Sequence, residues 1–435
     1  MKNKQLKEFA SLLNGYAFKS KNYVSSGIRI MRIANVKDGY ICDEQPRYYP
    51  EDTHEEIEKY MLKAGDMLIS LTGNVGRIGI MPANMLPAAL NQRVSCIRLK
   101  DDSVNKKYLF YFFQRKSFVQ DCIKASKGVA QLNLSTKFLE EYSVPVPPLP
   151  EQERIVARIE ELFSELDKAV ETLKTTKQQL TVYRQAVLKE AFEGKYTSKW
   201  RKQNPDVSPM SDFNSIKLNS SAFKDTSGDE NSINLNLPIS WFQIRFGEIF
   251  EVEVGATPSR KIPEYWGGNI NWVSSGEVHF NEINDTKECI TENGLKNSST
   301  NLQPTGTVML AMIGEGKTRG QAAILNKPAA HNQNTAAILV SKTPCQPKYV
   351  YYFLKVNYEN IRRIGSGNNQ KALNKERVRA LRFPFTSFEE QKIIVREIEA
   401  RMSTCDSIEE TVDTALQQAE AMRQSILKKA FEGDL

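Results

Sequence analysis

From Glu151 to Gly194 the apolar residues recur in the alternating four-three step of a helical seam: Ile155, Ile159, Leu162, Leu166, Ala169, Leu173, Leu180, Tyr183 and Val187. No proline interrupts this stretch, and its only glycine, Gly194, stands where a helix C-cap is expected. The pattern predicts one helix of about 44 residues, a rod of about 65 Å at roughly 1.5 Å per residue. Its apolar stripe is too narrow for a globular core and calls for a second helix.

That helix is present in the same chain. Residues 390–433 carry Ile394, Ile398, Cys405, Ile408, Val412, Ala415, Ala419, Met422 and Ile426 in the same register. EQERIVARIE returns as EQKIIVREIE, and QAVLKEAFEG as QSILKKAFEG, both displaced by 239 positions (Glu151 to Glu390, Gly194 to Gly433). A repeat without insertion or deletion implies selection on helix length itself. The two copies are therefore expected to pack on each other, with the residues named above, Ala169, Tyr183 and Cys405 aside, as the core of their interface. Two unrelated amphipathic helices on separate cores is the weaker reading.

Elsewhere the periodicity shortens. Ile28 to Ile33, Met67 to Leu71, Val75 to Met81 and Val94 to Leu99 are brief β-rich runs parted by glycine, proline and asparagine, which predicts strands. Lys107 to Ile123 has helical spacing instead. Residues 1–150 thus read as an α+β domain, closed by VPVPPLPEQ, whose prolines are expected to hold the chain extended up to Glu151. Residues 196–236, rich in Ser, Asn, Asp and Lys, read as a polar crossing linker. A second domain follows over 237–389, then the second helix over 390–435. Gly65, Gly73, Asn91 with Gln92, Tyr108 and Asn133 match Gly306, Gly314, Asn332 with Gln333, Tyr349 and Asn374 at a displacement of 241, so the whole domain-plus-helix unit is duplicated. The helices stayed alike while the domains diverged, which points to one shared mechanical role and two different contacts.

Composition narrows the function. No apolar run approaches twenty residues and the first fifteen residues lack a signal-peptide core, so a cytoplasmic protein without membrane contact is expected. The six cysteines and three histidines are scattered without a CxxC pair, which favours buried thiols over disulfides or a metal site. AMIGEGKT (Ala311 to Thr318) fits a relaxed phosphate-loop pattern, but the following RGQAAILNKP leaves little room for the helix whose N-terminus would hold phosphate, and the matching SLTGNVGR has no lysine. No adenine-methylation tetrapeptide, GxSxG or HExxH is present, and catalysis by this chain is not expected.

A net charge of +7 suits a polyanion if the excess gathers on one surface. Lys19, Lys21, Arg29, Arg32 and Lys37 occur without an acid among them. Thr72, Asn74 and Arg77 lie in SLTGNVGR, Asn91, Gln92 and Arg93 form NQR, and Lys127, Gln131 and Asn133 lie in SKGVAQLN. The second domain offers Ser274, Ser275 and Glu277, then Lys317 and Arg319, then Asn332, Gln333 and Asn334, then Asn368, Asn369, Gln370 and Lys371. Lysine and arginine neutralise phosphates, while asparagine, glutamine and arginine read base edges. Any one of these fits a solvated turn equally well. As a set recurring in both domains they favour DNA contact over a coiled-coil scaffold that binds only proteins.

PVPPLPEQERIVARIEELF, the two AFEG helix ends, LTGNVGRIGI and SKGVAQLNLS carry a resemblance that spans nearly the whole chain: it resembles the specificity subunit of Type I restriction-modification systems. The resemblance implies two pseudo-repeated target recognition domains separated by two long helices packed as an antiparallel coiled coil. It further implies that each domain reads one half of a bipartite double-stranded DNA target and that the helices set the gap. Two adenine-methyltransferase subunits would carry the S-adenosylmethionine. Restriction subunits, in systems that have them, would use ATP with Mg, and this chain itself would bind no cofactor. The chain departs from the family pattern before the position matching Phe242, where an equivalent of Leu237 to Trp241 is missing. A modification-only variant of such a system stays open, as does the scaffold.

Overall fold

The computed structural model describes residues 3–128, 131–218, 236–314, 316–364 and 372–434. The chain divides into two compact units, Met1–Thr175 with Val412–Leu435, and Thr176–Thr411. Both are mixed α/β, and no helix among the described residues is long and apolar enough to cross a membrane.

The long helices run from Leu149 to Phe192 and from Phe388 to Glu432, each starting two residues before Glu151 or Glu390. Pro150 therefore lies inside the first turn, where its missing N–H removes no intrahelical bond. Gly194 and Gly433 end the helices with φ of 66° and 91°, a conformation that favours glycine.

In the first unit the described strands form an antiparallel sheet in the order Ala10–Asn14, Val94–Leu99, Met67–Ser70, Ile78–Ile80. A second sheet orders Tyr48–Tyr49, Ile28–Met31 and Ala88–Leu90. The expected helix over 107–123 is broken into Lys106–Phe113 and Lys116–Ala125. At the break Arg115 turns extended, stacks 3.7 Å from the Phe112 ring and donates from Nε to the Phe112 carbonyl, while Lys116 N donates to Gln424 on the second long helix. The unit's core joins Tyr108, Phe112, Phe113 and Phe118 to Ile155, Ile159 and Phe163 of the first long helix and Leu427, Ala430 and Phe431 of the second.

The second unit repeats this plan. Its larger sheet orders Val252–Val254, Thr335–Ile338, Val308–Ala311, Ala322–Leu325 and Asn281–Ile283, and its smaller one Glu288–Ile290, Trp266–Val273 and Ala329–His331. Here Leu188, Ala191 and Phe192 of the first long helix and Ile394, Val395 and Ile398 of the second enter the core. In each unit the early part of one helix packs with the late part of the other, so the helices are antiparallel.

The duplication extends to single contacts. Phe431 packs on Tyr108 and Phe112 at 5.1 and 5.3 Å, and Phe192 on Tyr349 and Phe353 at 5.0 and 5.7 Å. The Tyr108 hydroxyl donates to the Pro145 carbonyl, and that of Tyr349 to Pro384. Buried Gln152 accepts from Asn105 N and donates to the Pro147 carbonyl, and buried Gln391 accepts from Gln346 N and donates to the Thr386 carbonyl. Lys107 pairs with Glu160, and Lys348 with Glu399. One sequence match is corrected. Asn374 caps Lys375–Arg379 as Ser135 caps Thr136–Glu141, and Leu373 N meets Met312 O as Leu134 N meets Leu71 O. The counterpart of Asn374 is therefore Ser135, not Asn133.

Along the helices Ile155, Ile159, Leu180, Val187, Ile394, Ile398, Val412 and Ala419 are buried, and Leu162, Leu166, Leu173, Ala415 and Ile426 half-buried. Ile408 and Met422 are 40% and 55% exposed, against expectation. The seam takes their neighbours Glu409 and Arg423, because long stems and a facing group of opposite charge make these residues the better occupants. In the second unit Arg184 meets Asp406 at 2.6 Å and Glu409 at 2.8 Å. In the first, Arg423 pairs with Asp167 and stacks 4.2 Å from the Phe163 ring. Arg184 and Arg423, like Asp167 and Asp406, are one repeat apart.

The expected linker is structured through residue 218. Ser198–Gln203 and Pro209–Ile216 are helices, and Phe213 joins the second unit's core. Arg201 donates to the Gly194 carbonyl at 2.6 Å and lies 2.6 Å from buried Glu390, whose other oxygen accepts from Trp241 Nε1 at 2.9 Å. The matching Glu151 is half-exposed and pairs with Arg154 on its own helix.

Candidate nucleic-acid interface

In the first unit three loops distant in sequence are laced into one edge by backbone hydrogen bonds. Leu71 N donates to Arg93 O, Gly73 N to Leu132 O and Leu134 N to Leu71 O, while Lys127 and Asn133 exchange both of theirs. Gly73, at φ 72°, lets the first loop turn back on itself. The Thr72 hydroxyl donates to Asn133 Oδ1 at 3.1 Å, and Asn133 Nδ2 donates to Gln131 O at 3.1 Å. Both side chains are thereby occupied in joining the loops. Gln92 N donates to Tyr16 O, which brings in the segment bearing Lys19 and Lys21.

Asn74, Gln92, Arg93, Lys127 and Gln131 are exposed along this edge, as are Lys19 and Lys21 on their own turn. Asn91 Oδ1 accepts from Arg93 N and shapes the turn. Arg77 is half-buried with Nε 3.5 Å from Asp38. Arg29 and Arg32 depart from expectation. Arg29 lies 2.6 Å from Asp43 and donates to the Tyr48 hydroxyl, and Arg32 donates to Gln45 O at 2.7 Å. Their charge and donors serve the small sheet first.

The second unit repeats the edge, with Gln333 where the first has Gln92 and mostly different side chains around it. Met312 N donates to Asn334 O, and Leu373 N to Met312 O. Gln333 and Lys317 are exposed, while Ser275 and Asn334 are half-buried. Three residues expected at the DNA are instead buried and engaged within the protein. Glu277 is buried and wholly occupied as a turn cap, with Oε2 accepting from Ser274 N and Oγ, and Oε1 from Lys287 N. Arg319 is 8% exposed and donates to Arg362 O. Asn332 is buried, its Oδ1 accepting from Asn334 N and the Thr335 hydroxyl. Beneath this turn burial pushes the His331 imidazole down to about 4, so the ring is neutral at physiological pH. Asn368, Asn369, Gln370 and Lys371 lie outside the described residues. What sequence reasoning missed is Thr257, whose hydroxyl donates to Gln333 Oε1 at 2.7 Å. No linear motif joins two residues so far apart.

After Lys317 and Thr318 the chain makes turns and enters Ala322–Leu325, a strand. The helix N-terminus that a phosphate loop requires is not formed there. Lys317→Ala should therefore leave any ATP hydrolysis by an assembled complex intact and weaken duplex binding by about 1 kcal/mol. A salt titration of binding alongside an ATPase assay at saturating DNA checks both, and lost hydrolysis with unchanged binding would restore the nucleotide reading.

A family model described as the Type I restriction modification DNA specificity domain matches residues 1–181 and 238–418. The chain belongs to this family. Within the specificity family it is 25% identical over 435 residues to the Type I restriction enzyme EcoBI specificity subunit of Escherichia coli, covering 98% of this chain and 84% of that one. The EcoKI specificity subunit of Escherichia coli strain K12 is 22% identical, with 98% and 87% covered. Among solved structures, a chain from work on complex assembly and conformational transition of the type I R-M system aligns with TM-score 0.67 at 17% identity, over 100% of this chain and 98% of its own. The HsdS subunit from Thermoanaerobacter tengcongensis aligns with TM-score 0.55 at 16% identity, over 100% and 97%. These two likenesses concern the fold.

Proposed function

We propose that this chain is the non-catalytic DNA-specificity subunit of a Type I restriction-modification complex, in which each domain reads one half of a bipartite target. The helix pair sets the gap between the halves and docks two adenine-methyltransferase subunits, together with restriction subunits in a system that has them. The partners supply S-adenosylmethionine chemistry and, with restriction subunits, ATP with Mg.

The contact-for-contact duplication carries this reading. The contacts of Phe192 and Phe431, of Gln152 and Gln391, and of Tyr108 and Tyr349 recur in the two units, whereas the exposed side chains on the loop edges differ around a shared glutamine, Gln92 or Gln333. Two equivalent platforms with different tips suit two readers of different sequences. Backbone-laced loops hold those tips in place, which lowers the ordering cost of contact.

Replacing residues 1–145 with the corresponding domain of another family member should change one half of the methylated motif and leave the other half intact. Methylome sequencing of a host with and without the exchanged gene reads this directly. Two altered halves would contradict independent readers. No salt-dependent shift of duplex DNA by the chain with its methyltransferase would point instead to a protein scaffold.

A further inference from the structure

Asn91–Gln92 and Asn332–Gln333 occupy the same turn in the two units. In each, the asparagine Oδ1 accepts from the backbone N–H two residues on, at 3.2 and 3.0 Å, and in each the glutamine side chain is exposed at the tip. A neighbouring segment passes close beneath both turns. A Cβ on Gly15 would lie 2.2 Å from the Asn91 carbonyl, and one on Gly255 1.9 Å from that of His331, so only glycine permits the approach. The next residues make equivalent bonds, Tyr16 N to Leu90 O and Ala256 N to His331 O. One step further the units diverge, with Ala17 in the first and Thr257 in the second. Ala17 has no polar group to offer its glutamine, whereas the Thr257 hydroxyl donates to Gln333 Oε1 at 2.7 Å.

We propose that Gln333 reads an adenine in the second half-site and that Thr257 is its positioning residue, deepening the DNA-reading role proposed above and resting on it. The Thr257 hydroxyl fixes the plane of the carboxamide while using one lone pair of Oε1. The second lone pair and both Nε2 hydrogens remain for a ligand. Acceptor and donor side by side match adenine N6–H and N7 in the major groove. Guanine sets two acceptors there and would face Oε1 with its O6. Holding the amide in one orientation beforehand lowers the entropy lost on contact.

The test uses the chain assembled with its methyltransferase subunits and duplexes of the mapped target in which each adenine is replaced in turn by 7-deazaadenine, which lacks N7. Initial rates of methyl transfer give kcat/KM. One replacement in the second half-site should lower the wild-type value about 10- to 100-fold. Gln333→Ala should lose a similar factor on natural DNA and become insensitive to that one replacement. Thr257→Val should show reduced sensitivity at that position, and Thr257→Ser should restore it, while sensitivity in the first half-site stays at the wild-type level throughout. That unchanged first half-site also reports that each variant is folded. Gln333→Ala retaining wild-type sensitivity at every adenine, or losing rate without losing sensitivity, overturns the inference and leaves the bipartite reading intact. A wild-type complex with no bipartite motif overturns both.

Discussion

Inserting four residues between Thr172 and Thr175 should widen the gap between the two methylated half-sites by one or two base pairs and leave the bases of both half-sites unchanged. Four residues add roughly one helical turn, about 6 Å of rise, against about 3.4 Å per stacked base pair. The site is chosen from the repeated ion pairs: it falls after Asp167 and before Arg184 in the first helix, so neither pair is interrupted within its own unit. An insertion in one helix alone creates a stutter beyond Leu173, which costs some stability without unfolding the pair. A matched insertion between Thr411 and Thr414, one repeat away, restores the seam. The doubly lengthened chain should therefore show the wider gap with activity closer to wild type. Methylation mapping decides the outcome. An unaltered gap at full activity would make the helices simple connectors, and altered bases would place part of the specificity in them.

Glu390→Ala should destabilise the second unit by about 3–5 kcal/mol, whereas Glu151→Ala should change little. The two residues are repeat equivalents in opposite surroundings. The Glu390 side chain is 2% exposed and takes its partners from three places: Arg201 in the segment after the first helix, Trp241 at the start of the second domain, and Thr386 before the second helix. Removing the carboxylate strands the Arg201 guanidinium, itself only 19% exposed, and breaking a buried pair from one side costs about that amount. Glu151 pairs with Arg154 one turn away on its own helix, a solvated pair of little worth. Thermal unfolding of the complete chain separates the two variants, the first lowering the midpoint by something on the order of 10 °C. Equal shifts would mean that Arg201 and Trp241 do not hold Glu390 as described. Glu390→Gln, which keeps the shape and can still accept from Trp241, should fall between them.

The long helices were legible because a four-three apolar step over forty residues has no other use, and the duplication because it left the numbering intact. The charged seam positions were not. An apolar count ranks Ile408 above Glu409 and Met422 above Arg423, and nothing local to the chain shows that Arg184 stands opposite Glu409 or Asp167 opposite Arg423. The local order within 196–218 was not legible for the same reason, since its few apolar residues, Phe213 above all, find their partners in the second unit's core. In the loops, residue type identified the right segments but not the duties within them. Of Asn-Gln-Asn, the middle glutamine is exposed to solvent, while buried Asn332 spends its oxygen on the turn. Glu277 and Arg319 look like surface charges in sequence and are caps and braces in three dimensions.

The chain's route through the two units also orders its folding. Everything the second unit needs lies in one continuous stretch, Thr176–Thr411, so a nascent chain can complete it as soon as that stretch is free of the ribosome. The first unit, although translated earlier, must wait for Leu427, Ala430 and Phe431 to close its core over Tyr108 and Phe112. Until then those aromatics stay uncovered, and the closure spans some three hundred residues, a non-local contact that forms slowly but adds little loop entropy beyond that of a shorter one. The domain synthesised first is thus the last to mature, and a message cut short within the second helix would yield a protein with one finished half and one exposed one.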